Sequence, residues 1–168
     1  MFTPAQGTSK QLNNSAGYAM LLMDGLKLLI PQDQIKAMES TKDIEISKAS
    51  DQNQVVGYME FEKRSWPVFS FSNNLTPLAS ASLDRQFCIL LQAGTRSFGI
   101  LSEQALLLHP GEIQSQSLPE SMLMKESPVT GLAIFAGEVI SISSAERLAA
   151  LVPLSNEAYN SNNPTLHK

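Results

Sequence analysis

The chain has 168 residues, 43% of them hydrophobic, and a formal net charge of −4. That length suits one domain, or two small lobes sharing a core. An acidic chain without a Lys/Arg cluster interleaved with aromatics is a poor match for nucleic acid. No run reaches the ~18 apolar residues of a bilayer span, and residues 1–10 lack the basic start and apolar core of a secretory signal, so a cytoplasmic location without direct membrane insertion is expected. The single cysteine, Cys88, excludes an internal disulfide, and its neighbours Phe87 and Ile89 mark it as a buried thiol.

The opening residues 1–16 are rich in Gln, Asn, Ser, Thr and Gly and read as a tail, as do residues 153–168 at the other end. Between them, residues 17–152 read as one mainly β domain of short apolar runs broken by turn residues. Tyr18 to Met23, then Asp24-Gly25, then Leu26 to Ile30 predicts a tight hairpin, because Asp-Gly supplies the positive φ angles such a turn needs. Pro31 belongs at a strand end, and the segment from Asp33 to Met38 is equally compatible with a helical turn or a strand exit. A second motif, Val-x-Gly-x-x-x-Phe, spans Val55 to Phe61 and leads to Trp66 through Phe71, where Pro67 suggests an edge or a bend.

Both patterns recur. Gln86 to Gln92, Ala93-Gly94 and Thr95 to Leu101 repeat the first hairpin about seventy residues on. Val129 to Phe135, followed by Glu138 to Ile142, repeats the second motif. The repetition predicts two similar sub-barrels over approximate halves 17–80 and 83–152. In the second motif Gly and Phe fall on one strand face, and the missing side chain of Gly lets another backbone approach. One helix is signalled, by Ser143-Ser144-Ala145-Glu146 read as a capping box and by Leu148, Leu151 and Val152 on one face before Pro153.

Catalytic chemistry finds little support. His167 lies in the closing tail, and His109 stands before Pro110-Gly111 as a loop residue, so no metal-ligand spacing or Ser-His-Asp arrangement can be assembled. Glu60 and Glu62 alternate with apolar residues and on an extended strand would project from one face about 7 Å apart, a separation compatible with paired-carboxylate hydrolysis. The same alternation is explained by a solvated strand face leading to a hairpin tip at Lys63 and Arg64. Met20 and Met23 are expected in the core, and Met122 and Met124, in a polar loop, at the surface.

From Gly17 to Val152 the order of these features resembles the CheW-like family. Asp24-Gly25 through Pro31 and Ile35 is similar to its opening hairpin; Gly57 through Pro67-Val68 to its central segment; Gly99-Ile100-Leu101 to its Gly-apolar-apolar run, although Ser102-Glu103 replaces the usual Val-Asp; and Val129 through Ile142 with the closing helix to its last strand pair. The resemblance implies two SH3-like β-barrel subdomains with a short C-terminal helix. It further implies a signal-transduction adaptor without catalytic residues or cofactors, coupling a chemoreceptor cytoplasmic domain to a CheA-type histidine kinase. The family's Asn-x-Arg-Gly turn falls on Glu60-Phe61-Glu62-Lys63, which places Glu62 where a partner expects Arg. Glu60, Glu62, Lys63 and Arg64 are therefore the partner-binding candidates. The departure leaves open recruitment of the same scaffold to a different complex.

Overall fold

A computed structural model describes residues 17–43, 54–122 and 127–153. The segments read as tails, apart from Pro153, and Met124 and His167 lie outside these residues. Among the described residues, eleven strands, four single-turn 3-10 helices and one α-helix follow one another. The strands are β1 (Tyr18–Met23), β2 (Leu26–Pro31), β3 (Ile35–Ser40), β4 (Gly57–Phe61), β5 (Arg64–Phe69), β6 (Phe87–Ala93), β7 (Arg96–Ser102), β8 (Gln104–Leu108), β9 (Gln114–Ser117), β10 (Gly131–Phe135) and β11 (Glu138–Ile142).

They form a six-stranded sheet in the order β8-β1-β2-β11-β10-β9 and a five-stranded sheet in the order β3-β6-β7-β5-β4. The sheets do not follow the halves 17–80 and 83–152. β1 and β2 join β8 to β11, while β3, β4 and β5 join β6 and β7, so each sheet takes strands from both halves. The exchange runs through four pairings: β1 with β8 and β3 with β6, both antiparallel, and two short parallel ones that mirror each other, Leu28-Leu29 of β2 against Ser141-Ile142 and Val68-Phe69 of β5 against Gly99-Ile100.

Burial explains why the exchange holds. Leu21, Met23, Leu28 and Ile30 point from one sheet, and Phe69, Ile89, Leu91, Phe98 and Ile100 from the other, into a shared core between the sheets. Their chain neighbours face the opposite way: Tyr18, Met20 and Leu29 into the interior of the six-stranded sheet, Cys88, Leu90 and Leu101 into that of the five-stranded sheet. β1, β2, β6 and β7 are thus buried on both faces, which is why they read as continuous apolar runs. Met20 and Met23 are core residues, as expected, and Met122 is exposed.

Pro31 closes β2, as the sequence suggests, and residues 32–34 form a single 3-10 turn before β3. Pro67 does not mark an edge strand: β5 lies between β7 and β4. The parallel pairing with β7 begins only at Val68, so Pro67 faces β4 alone, opposite Tyr58. The helix α1 (Ala145–Ala149) is shorter than its signal, and its N-cap is Ser144, whose Oγ accepts the Arg147 N–H at 3.1 Å. Ser143 is instead buried and donates to the Pro128 carbonyl at 2.5 Å, which takes it out of the capping role. Leu148 and Val152 close one side of the shared core.

Arg85, in the connection between β5 and β6, is buried to 3% exposure. Its guanidinium donates to the Phe71 carbonyl at 2.8 Å and to Ser70 Oγ and the Leu101 carbonyl at 3.3 Å, and forms an ion pair with Asp24 at 3.0 Å. Glu103 lies 3.8 Å from its Nε and accepts the Asp24 backbone N–H. One cation therefore ties the connection, the end of β5, β7 and the β1–β2 turn together.

Cys88 is fully buried, and desolvation, with the nearby Glu39 carboxylate as a smaller cause, pushes its thiol up to about 12. The folded protein holds the proton that the unfolded chain releases near pH 9, so this contribution to stability is complete below pH 9 and is lost as the pH rises towards 12. Two results are expected. Folded protein resists thiol reagents that label it rapidly in denaturant, and Cys88→Ala removes part of the alkaline loss of stability in urea titrations at pH 8 and pH 10. Equal labelling of folded and unfolded protein would contradict the burial.

Candidate functional site

The β4–β5 hairpin is built by a regular antiparallel register, Gly57 opposite Val68 through Phe61 opposite Arg64. The two residues left at its tip are Glu62 at φ 51° and Lys63 at φ 61°. Positive φ at both central positions is the type I′ geometry that matches strand twist and ordinarily selects Asn-Gly. The second half of the chain builds the same hairpin at an offset of 74 residues, with Gly131 opposite Ile142, Phe135 opposite Glu138, and Ala136 and Gly137 at the tip. Its glycine fits the role read from the repeated motif, since a side chain at Gly131 would meet the Gln116 carbonyl oxygen at 2.7 Å.

Lys63 therefore occupies the place that Gly137 fills in the other half, in a conformation where a Cβ crowds the following carbonyl at a cost of about 1–2 kcal/mol. Lys63→Gly is expected to stabilise the fold by about 1 kcal/mol, offset in part by the freer unfolded chain, and to raise the melting temperature by about 2–4 °C. A thermal melt of the two proteins checks it, and an unchanged or lower midpoint would contradict the strain.

Below the tip, the indole of Trp66 is buried and donates from Nε1 to the Phe61 carbonyl at 3.2 Å. Phe61 meets it edge to face at 5.7 Å between centroids, and the Arg64 guanidinium stands 5.6 Å from the Trp66 ring. Arg64 also donates to Ser97 Oγ at 3.3 Å. The four candidates thus divide. Glu60, Glu62 and Lys63 are exposed, whereas Arg64 is half-buried and held down on the barrel.

Glu60 and Glu62 do not share a strand face. β4 ends at Phe61 and Glu62 belongs to the turn, so the strand alternation that would set the carboxylates side by side stops between them. His109 is an exposed loop residue whose N–H is accepted by Glu112 at 2.9 Å. Among the described residues no three His, Cys, Asp or Glu side chains gather as a metal site would require, and no helix is long and apolar enough to cross a membrane. A groove of about 510 Å³, lined by polar side chains such as Gln34, Gln92, Arg96 and Glu146 with only Ala93 and Ala145 as apolar side chains, lacks the large apolar and aromatic walls typical of a small-molecule site.

Sequence reasoning missed the outer face of the β10–β11 hairpin. Leu132, Ile134 and Val139 are 40%, 49% and 69% exposed, and Ile134 lies directly opposite Val139. The equivalent places on β4–β5 are Tyr58, Glu60 and Ser65. One hairpin therefore presents charge to solvent and its counterpart presents aliphatic surface, beside an ion pair of Glu138 with Lys27 at 2.5 Å.

No family model and no curated protein matches the sequence. Among solved structures, the scaffolding protein TtCheW from Thermoanaerobacter tengcongensis superposes with a TM-score of 0.54 at 12% sequence identity, over 77% of this chain and 88% of that one. Two curled sheets closed by a short helix, with hairpins repeated in the same order, give this protein the CheW-like fold of two SH3-like barrels.

Proposed function

We propose that this protein is a non-enzymatic adaptor that couples a chemoreceptor cytoplasmic domain to a CheA-type histidine kinase, in a chemotaxis or pilus-motility pathway. The observation that carries the reading is the β4–β5 hairpin: on a fold shared with a scaffolding protein, a tip anchored by Trp66 and Arg64 presents Glu60 and Glu62, beside Lys63, at the surface. Anchored residues of this kind fix the geometry of a contact, while charges at the tip set which partner is accepted. The aliphatic face of Leu132, Ile134 and Val139 supplies a second contact of opposite character, as a two-partner adaptor requires.

The altered turn favours a specialised partner. An acidic residue at the place of the family's arginine repels a standard partner's carboxylate, which supports a dedicated kinase or recruitment of the scaffold to a different complex. A small hydrolase using Glu60 and Glu62 loses its geometric basis, because the two residues do not lie on one strand. Affinity capture of the native protein after cross-linking in cells tests the proposal. It expects a CheA-type kinase and a receptor among the bound proteins, and recovery of folded bait with neither would overturn it.

A further inference from the structure

Among the described residues, four strands lie at sheet edges, where unpaired N–H and C=O groups invite another strand. Three are blunted by recognisable means. β3 carries Lys36 and Glu39 and a register shift between Ile35 and Ala37; β4 carries Glu60; β9 has four residues, all Gln or Ser. β8, Gln104–Leu108, has none of these devices: it holds no charge, no proline and no register shift, and pairs on one side with β1 over its whole length. Leu106 and Leu107, adjacent in sequence and so on opposite faces, are 45% and 54% exposed.

We infer that β8 pairs with β8 of a second copy of this chain about a two-fold axis, joining two six-stranded sheets. An antiparallel pairing centred on Leu106 places Leu106 against its own counterpart and Leu107 against Ala105 of the second copy, a large side chain beside a small one on the same face. The same register sets no like charges against each other, since Glu103, already turned toward Arg85 and the Asp24 N–H, falls opposite His109. A two-fold arrangement also consumes the open edge in both copies, whereas pairing β8 with a different edge would leave one free and continue into a fibre. The chemistry commits the edge to a neutral, apolar strand, and the chain itself supplies one. The inference does not depend on the adaptor reading; if both hold, the dimer carries two β4–β5 tips and gains avidity for an array of receptors.

Two five-residue strands make a contact smaller than the ~1,200 Å² of a standard interface, so a reversible dimer with a dissociation constant on the order of 10–100 µM is expected. Sedimentation equilibrium of the full chain from about 1 to 500 µM reads it directly. The expected result is a monomer–dimer equilibrium weakened at least about tenfold by Leu106→Lys and by Leu107→Lys, charges of the kind that protect edges elsewhere. Hydrogen exchange of the unaltered protein gives a measurement free of any folding defect in the variants, with the alternate β8 amides that do not bond β1 gaining protection as concentration rises. A monomer across the whole range, or association without protection at these residues, would overturn the inference.

Discussion

Replacing Arg85 with alanine is expected to destabilise the fold by about 3–5 kcal/mol, the range for removing one partner of a buried charge network. Loss of the guanidinium leaves the Phe71 and Leu101 carbonyls without their donor, and the Asp24 and Glu103 carboxylates without a cation beside them. The connection between β5 and β6 then loses its hold on the β1–β2 turn, a polar contact that adds to the shared core in linking the two sheets. Asp24→Asn should cost much less, because Asp24 is about half exposed and water screens its pair. Urea denaturation of the three proteins measures both effects, and for a typical slope the Arg85→Ala midpoint falls by about 1.5–2.5 M. A loss below about 1 kcal/mol would show that the cation contributes little beyond its own solvation.

The second large effect concerns partner choice. Glu62→Arg introduces the charge carried by the CheW-like turn that this hairpin resembles and, on the proposed adaptor role, is expected to reverse the preference of the tip. Affinity for the protein's own partner should fall by about tenfold or more, and affinity for a standard CheA-type kinase should rise by a similar factor, since like charges set close together cost several kcal/mol. Glu62 is exposed, so the melting temperature should stay within a degree or two. Combining it with Lys63→Gly separates the two departures from the family pattern, one electrostatic and one conformational. Unchanged affinity for both kinases in a titration would place recognition elsewhere on the surface.

Much of the architecture is legible in local chemistry. Asp24-Gly25 marks the first hairpin because two positive φ angles are needed there, and the structure holds Asp24 at 50° and Gly25 at 91°. The repeated glycine motif is legible for a similar reason: close backbone approach at Gly131 admits no side chain. The exchange of strands between halves is not legible, because Leu28, Leu29 and Ile30 are all buried and an unbroken apolar run does not say which residue meets which sheet. The same ambiguity hides the exposed face of β10, where Leu132 and Ile134 point outward between inward-facing residues that are just as apolar. Arg85 was hidden in another way. A lone cation within Ser-Leu-Asp-Arg-Gln reads as a solvated linker, and only tertiary structure brings Ser70, Phe71 and Leu101 around it. At the tip, the sequence identifies the charged residues but not that Lys63 takes a glycine's conformation, since local preference argues against it.

The claim that this CheW-like fold serves to connect two proteins is tested most directly with purified components. Receptor cytoplasmic domain and CheA-type kinase from the same organism can be titrated with the full chain and followed by sedimentation velocity, with Glu62→Arg as the matched control. The protein is expected to bind each component separately and to bring both into one faster-sedimenting complex that the substitution weakens. Binding to neither component by a protein that melts cooperatively would contradict it.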